Sequence, residues 1–262
     1  MSARQINRAS AWALYWALVR QDLQLRVLGS MLGMLWLVLQ PLLYLSFTTV
    51  VFYYVLGVRF ADGAVGSYVL FLLTGLVAWL GVNEGIGKAA PTLIDRANLI
   101  RNFPIPRVLV PLVPLIAALA YQGVCLLALI LATAARGELG SQVLMLAPAL
   151  LLEALLLAGI AWLVAAGTVL YRDIQYLLAF ALMAWLYLTP IFYPAGQVPP
   201  PLDLVVVHTN PLAMLVIIFR GAILGTQVAF NVWGTLAFIS LAMFALGLIA
   251  FRRVEHALGD LL

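Results

Sequence analysis

Six apolar runs, each long enough to cross a bilayer as helix, fill the chain from about Val27 to Phe251. Its few charges sit almost entirely in the gaps between them. A bilayer core takes roughly 20 consecutive apolar residues of helix. Uncharged stretches cover residues 27–58, 63–83, 108–135, 174–202 and 221–251, and a sixth, 139–171, is interrupted only by Glu153. Charged residues make up 9% of the chain, about a third of the share usual in a soluble domain. The expected fold class is therefore an all-α integral membrane protein with six transmembrane helices. Residues 27–253 form that domain, and 1–26 and 254–262 flank it. No polar stretch is long enough for a soluble catalytic domain.

Orientation follows from Lys and Arg counted gap by gap. Eleven lie on one side: Arg4, Arg8, Arg20, Arg26, Lys88, Arg96, Arg101, Arg107, Arg172, Arg252 and Arg253. Three lie on the other: Arg59, Arg136 and Arg220. Both termini are expected in the cytoplasm. The basic net charge thus reads as topology and not as nucleic-acid binding. The first apolar run is too long for a signal-peptide core. The segment before it reads as an interfacial amphipathic helix, with Trp12, Trp16, Val19 and Leu23 on one face and Arg4, Arg8, Asp22 and Arg26 toward the other. The single cysteine, Cys125, lies within an apolar run, where a packing role is expected.

Two gaps carry structure of their own. In the second, Pro91-Thr92 starts a helix and Pro104 and Pro106 stop it. One helix near 92–103 is expected there, with Leu93, Leu99, Ile100 and Phe103 exposed. It is either a docking element for a soluble partner or a surface helix that reverses the chain. In the fifth gap, prolines at 190, 194, 199, 200, 201 and 211 precede a short apolar piece, 212–224, that contains Arg220. Thirteen residues cannot span. The region 195–224 reads as a re-entrant or interfacial hairpin on the outer side, or as an ordinary packed loop.

Enzymatic chemistry finds little support. The only lysine, Lys88, follows Gly87, but Val82 and Ala89 occupy positions that a phosphate-cradling loop gives to Gly and Ser/Thr. Any ATP with its Mg would have to be bound by another chain, and no cofactor or metal is expected in this one. His208 and His256 fall on opposite sides of the membrane. Glu153, deep in a span, either lines a polar conduit or pairs across helices. Trp36, Tyr44 and Phe47 recur near one helix face. With Tyr187 they are candidates for rings that line a conduit, the alternative being lipid-facing or interfacial aromatics. Phe52, Tyr53, Tyr54 and Phe192 are expected to face lipid or the membrane interface. Arg20 and Arg26 either grip a phosphate group or anchor the chain at the cytoplasmic lipid boundary. Arg172 and Asp173 are expected to form an ion pair closing a cytoplasmic turn.

Five segments resemble one family in order and spacing. They are Arg26-Val-Leu-Gly-Ser-Met-Leu-Gly-Met-Leu-Trp36 continuing to Gln40-Pro41; Leu99-Ile-Arg-Asn-Phe-Pro-Ile-Pro-Arg107; Tyr171-Arg-Asp-Ile174; Thr189-Pro-Ile-Phe-Tyr193 with Val198-Pro199; and Asn210-Pro-Leu212 with Arg220. Together they are similar to the permease subunits of bacterial polysaccharide and polyol-phosphate ABC exporters, which move O-antigen, capsule or teichoic acid. The family often has an aromatic after the first arginine; here Val27 stands there.

The resemblance implies a homodimer in the inner membrane, working with two copies of a separate ABC ATPase on a lipid-linked polysaccharide. It implies an ATPase-coupling helix around Asp95, Arg96, Asn98, Leu99 and Arg101. It also implies a lateral gate near Leu32 and Gly33 beside Arg20 and Arg26, and short outer gate helices. Rival expectations are an ABC permease for drugs or small lipophiles, and an integral-membrane transferase acting on lipid-linked sugars.

Overall fold

The computed structural model describes residues 3–25, 35–55, 57, 65–103 and 105–261. All regular structure among them is helical: α1 (Ala3–Leu25), α2 (Trp36–Thr49), α3 (Val65–Ala89), α4 (Thr92–Asp95), α5 (Ala97–Asn102), α6 (Leu112–Ala135), α7 (Leu146–Leu170), α8 (Ile174–Leu188), α9 (Pro211–Leu224) and α10 (Phe230–Leu261). Short 3-10 and π-helical turns join several of them.

Four described stretches are long and apolar enough to cross a membrane: Tyr68–Ala89, Arg107–Ala135, Ser141–Leu170 and Phe230–Glu255. They correspond to α3, α6, α7 and α10. The α2 helix continues without a break into a π-helical turn, Val50–Val55, and the two together reach roughly 30 Å. The α8 helix has only 15 residues, about 22 Å of rise. It stops where Pro190 forces the preceding residue out of helical conformation; Thr189 is extended, with ψ 137°. The fifth apolar run is therefore a short helix followed by an irregular segment.

Side-chain bonds fix which loops share an end. Arg96 bonds Asp22 of α1, and Arg107 Nη1 donates to the Glu255 carbonyl at 2.9 Å. The N-terminal helix, the 90–111 loop and the far end of α10 thus lie together. At the opposite end, Arg220 reaches Phe71, Pro190 and Ile191.

The densest packing joins α7 to α10. Gly159 and Gly247 cause it: a Cβ at Gly159 would sit on the Met243 carbonyl, and one at Gly247 on the carbonyl of Gly159. Small residues let membrane helices approach backbone to backbone in this way. The other core element is α9. Every residue from Leu212 to Ile223 is buried except Ile217, which marks a helix enclosed by protein. It lies against α3, α7 and α10. Asn210 caps its start by accepting from Leu212 N at 3.0 Å. Pro211 follows at the first helical position, and Gly225 ends the helix in the left-handed region, with φ 73°. The expected short apolar helix is present, buried across the bundle core.

The α1 helix packs one side against the bundle and leaves its tryptophans outside. Tyr15, Leu18 and Val19 are buried against the bundle, while Trp12 and Trp16 stay exposed. Burial pushes the Tyr15 phenol up to about 12, so this ring remains neutral packing material. The tryptophans are left where a headgroup layer would meet them.

Candidate functional site

The 90–111 loop holds two short helices and not one. Arg96 breaks it, with φ −106° and ψ 18° between α4 and α5. The break aims the guanidinium inward. Arg96 Nη2 lies 3.0 Å from Asp22 Oδ1, and the two side chains are only 20% and 15% exposed. Leu93 and Ile100 are buried anchors and Leu99 is half-buried, which corrects the expectation that they face outward. The outward face consists of Asp95, Asn98, Arg101, Asn102 and Phe103. Phe103 is exposed as the sequence suggests, whereas Asn102 escapes the charge pattern and is identified only by its exposure. Beneath them, Trp162 Nε1 donates to the Val108 carbonyl at 2.8 Å. The loop is thus tied to α1, α7 and α10 and presents one mixed polar surface.

The predicted conduit residues fall on one side of the molecule. Tyr44 is exposed and lines a cavity of about 210 Å³ with Gln40, Trp79, Asn83 and Tyr121. Tyr187 on α8 is exposed. Its ring lies 5.8 Å from that of Phe192, which stacks on Phe52 at 4.4 Å with an interplanar angle of 7°. Phe192 is buried and Phe52 half-buried, so neither is the lipid-facing ring expected for it. Tyr193 Oη donates to the carbonyls of Tyr187 and Leu188, at 3.1 and 3.0 Å. Phe47 is exposed and Trp36 half-buried on α2.

Arg20 is exposed beside a cavity of about 710 Å³ lined by Trp16, Leu23 and Gln24. The other lateral-gate candidates, Arg26, Leu32 and Gly33, lie outside the described residues. Arg172 and Asp173 are both exposed at the turn between α7 and α8, and no ion pair joins them. Backbone bonds close that turn instead: Ile174 N donates to Tyr171 O at 3.1 Å and Leu177 N to Asp173 O at 3.1 Å.

Two buried polar groups sit away from both regions. Glu153 is fully buried and accepts from Gln122 Nε2 through both carboxyl oxygens, at 3.0 and 3.1 Å. Gly81 makes room, since a Cβ there would collide with the Gln122 amide oxygen. Of the two roles open to Glu153, the structure selects pairing across helices. Arg220 is 7% exposed. Its guanidinium donates to the carbonyls of Phe71, Pro190 and Ile191, at 3.2, 2.7 and 2.8 Å. It also lies 3.2 Å above the Phe71 ring. Nearby, Trp185 Nε1 donates to Asn210 Oδ1 at 2.8 Å, and Asn210 Nδ2 to Thr189 Oγ1 at 3.0 Å. These contacts hold the irregular segment after α8 against α3 and α9.

Comparison with known proteins places the chain in context. The profile of the family described as ABC-2 type transporter matches residues 13–224. An O-antigen export system permease protein RfbA of Klebsiella pneumoniae is 22% identical over 247 residues, covering 94% of this chain and 93% of the relative. A Myxococcus xanthus protein of the same description is 25% identical over 183 residues, covering 70% of this chain and 68% of the relative.

Proposed function

This chain belongs to the membrane family of ABC-2 type transporters, and from that premise we propose that it is the permease subunit of an ATP-driven exporter of lipid-linked polysaccharide. The observation that carries the proposal is likeness to O-antigen export permeases along nearly the whole chain. The exposed polar and aromatic side of α2, α3 and α8 supports it.

In this reading the α1 end, with its excess of Arg and Lys, faces the cytoplasm. Six helices cross the bacterial inner membrane, α2 and α8 among them, and two copies of the chain enclose a path between them. Two ATPase subunits bind ATP with Mg and press on the 90–111 loop. Motion of that loop reaches α1 through the Asp22–Arg96 bond and the bundle through Leu93. Arg20, with Arg26 and the Leu32-Gly33 turn, receives the diphosphate of the lipid carrier. The segment after α8, held by Arg220, forms the outer gate.

The exposed loop face is the docking surface. Substituting Asp95, Asn98 and Arg101 together by Ala should reduce co-purification of the ATPase at least about tenfold while leaving membrane insertion intact. Co-purification at the wild-type level would remove the coupling role from these residues. The function itself is tested by deleting the gene in a cell that still makes lipid-linked surface polysaccharide. Cytoplasmic accumulation and a bare surface, reversed by the intact gene, are expected. A normal coat would overturn the polysaccharide reading in favour of a small-lipophile permease.

A further inference from the structure

Along the chain the 90–111 loop joins α3 to α6, but its side-chain bonds lead to other helices. Its first half is tied to α1 through Arg96, and α4 also lies against α7. Its second half contains one 3-10 turn, Arg107–Leu109, that is gripped from two sides. Trp162 of α7 donates its indole N–H to the Val108 carbonyl at 2.8 Å. Arg107 Nη1 donates to the Glu255 carbonyl of α10 at 2.9 Å.

Neither bond is needed to build a helix. The Glu255 carbonyl lies within α10, which runs on to Leu261, so the guanidinium takes the second lone pair of a carbonyl already inside a helix. Trp162 is 3% exposed, and its ring meets that of Phe244 on α10 with centroids 5.1 Å apart. Phenylalanine would serve that ring contact; the indole adds a donor. Both bonds therefore serve the joint between the turn and the α7–α10 pair.

That pair is stiff. At Gly159 and Gly247 the two helices touch main chain to main chain, and close-packed contacts transmit displacement instead of absorbing it. From Trp162 back to Leu146, α7 extends about 24 Å. At that far end the preceding turn, Ser141–Met145, packs on α9. Arg220 of α9 in turn holds the Pro190 and Ile191 carbonyls. One continuous strut thus runs from the loop to the irregular segment after α8.

We infer that Trp162 and Arg107 are positioning residues that fasten the loop to α7 and α10, so that the stroke of the ATPase reaches the segment after α8 through this strut. The inference rests on the transporter reading above. It assigns the stroke to two helices that the loop does not adjoin in sequence.

Trp162→Phe combined with Arg107→Met removes both donors and keeps a ring and much of the apolar stem. The purified complex should keep its ATPase subunits and hydrolyse ATP near the wild-type rate. Surface polysaccharide in the complemented deletion strain should fall about tenfold or more. Export at the wild-type level would overturn the inference. So would a joint fall of membrane level, ATPase association and hydrolysis, which marks a purely structural role.

A covalent joint supplies the rescue. Cys125 is the only cysteine and is buried, so Cys125→Ala is a background for introduced thiols. There Arg107→Cys with Glu255→Cys should export poorly, and bridging the two thiols with a bifunctional methanethiosulfonate should restore export until a reductant is added. Bridging that leaves export low would overturn the strut, because a fixed joint would then not suffice.

A last arm is independent of what is carried. Tyr193 is half-buried in the segment after α8. In vesicles holding the whole complex, the reaction of Tyr193→Cys with a charged methanethiosulfonate should change about fivefold or more when a non-hydrolysable ATP analogue is added. With Trp162→Phe and Arg107→Met present, that response should vanish. An equal response in both chains, or none in either, would overturn the strut. A normal coat on the deletion strain would overturn the polysaccharide reading alone, and the labelling would still decide the strut.

Discussion

Gly247→Leu is expected to leave almost no folded permease, measured as the monodisperse fraction after detergent extraction. At this crossing α7 and α10 touch backbone to backbone: a Cβ on Gly247 would lie 2.7 Å from the Gly159 Cα. No rotamer change relieves that overlap, because the opposing atoms are main chain. The helices must separate, and the closest packing in the molecule opens with them. Overpacking a soluble core costs about 1–3 kcal/mol; a main-chain collision between two membrane helices belongs at or above the top of that range. Gly247→Ala should already lose most of the folded fraction, and Gly159→Leu should match Gly247→Leu. Gly123→Ala is the control. Nothing lies within 4 Å of a Cβ there, and replacing a helical Gly should stabilise by about 0.5–1 kcal/mol. Normal folding of Gly247→Leu would mean that α7 and α10 do not cross at these residues.

Arg220→Met should abolish export and destabilise the permease by roughly 2–6 kcal/mol, taking about 1–3 kcal/mol for each of two buried carbonyls stripped of its donor. The two are those of Pro190 and Ile191. The Phe71 carbonyl keeps the Thr74 hydroxyl at 2.9 Å and adds less. Methionine preserves much of the apolar stem, so the loss reports the guanidinium. Arg220→Lys should fail nearly as badly, since a point ammonium cannot serve three carbonyls spread along a planar fork. Thermal unfolding of the purified protein and surface polysaccharide in complemented cells are the readouts. Full export by Arg220→Lys would reduce the arginine to a simple positive charge.

The run lengths in the sequence already contain the four long apolar helices α3, α6, α7 and α10, because crossing a bilayer is a constraint of length and polarity alone. The short helix after Asn210-Pro211 is legible for a similar reason: cap, proline and terminal glycine are local signals. Other features depend on partners far away in the chain. Nothing local reveals that Arg96 turns back to Asp22 and divides the loop helix, or that Leu93 and Ile100 point inward. An amphipathic pattern of six to ten residues does not say which neighbour covers its apolar side. Adjacency in the sequence suggests that Arg172 pairs with Asp173, but the two side chains diverge from the turn into the exposed surface. For Tyr44 and Tyr187 the aromatic character is visible in the sequence, but not the cavity in which Tyr44 of α2 meets Asn83 of α3.

The crossing of Gly159 with Gly247 also orders the birth of the protein. The two glycines are 88 residues apart, so at 5–20 residues per second the ribosome needs roughly 4–18 s to reach the second after the first. Through that interval the main-chain ridge of α7 has no cover. Membrane quality control therefore meets a half-made permease whose tightest joint cannot yet exist, and assembly closes late, when α10 arrives.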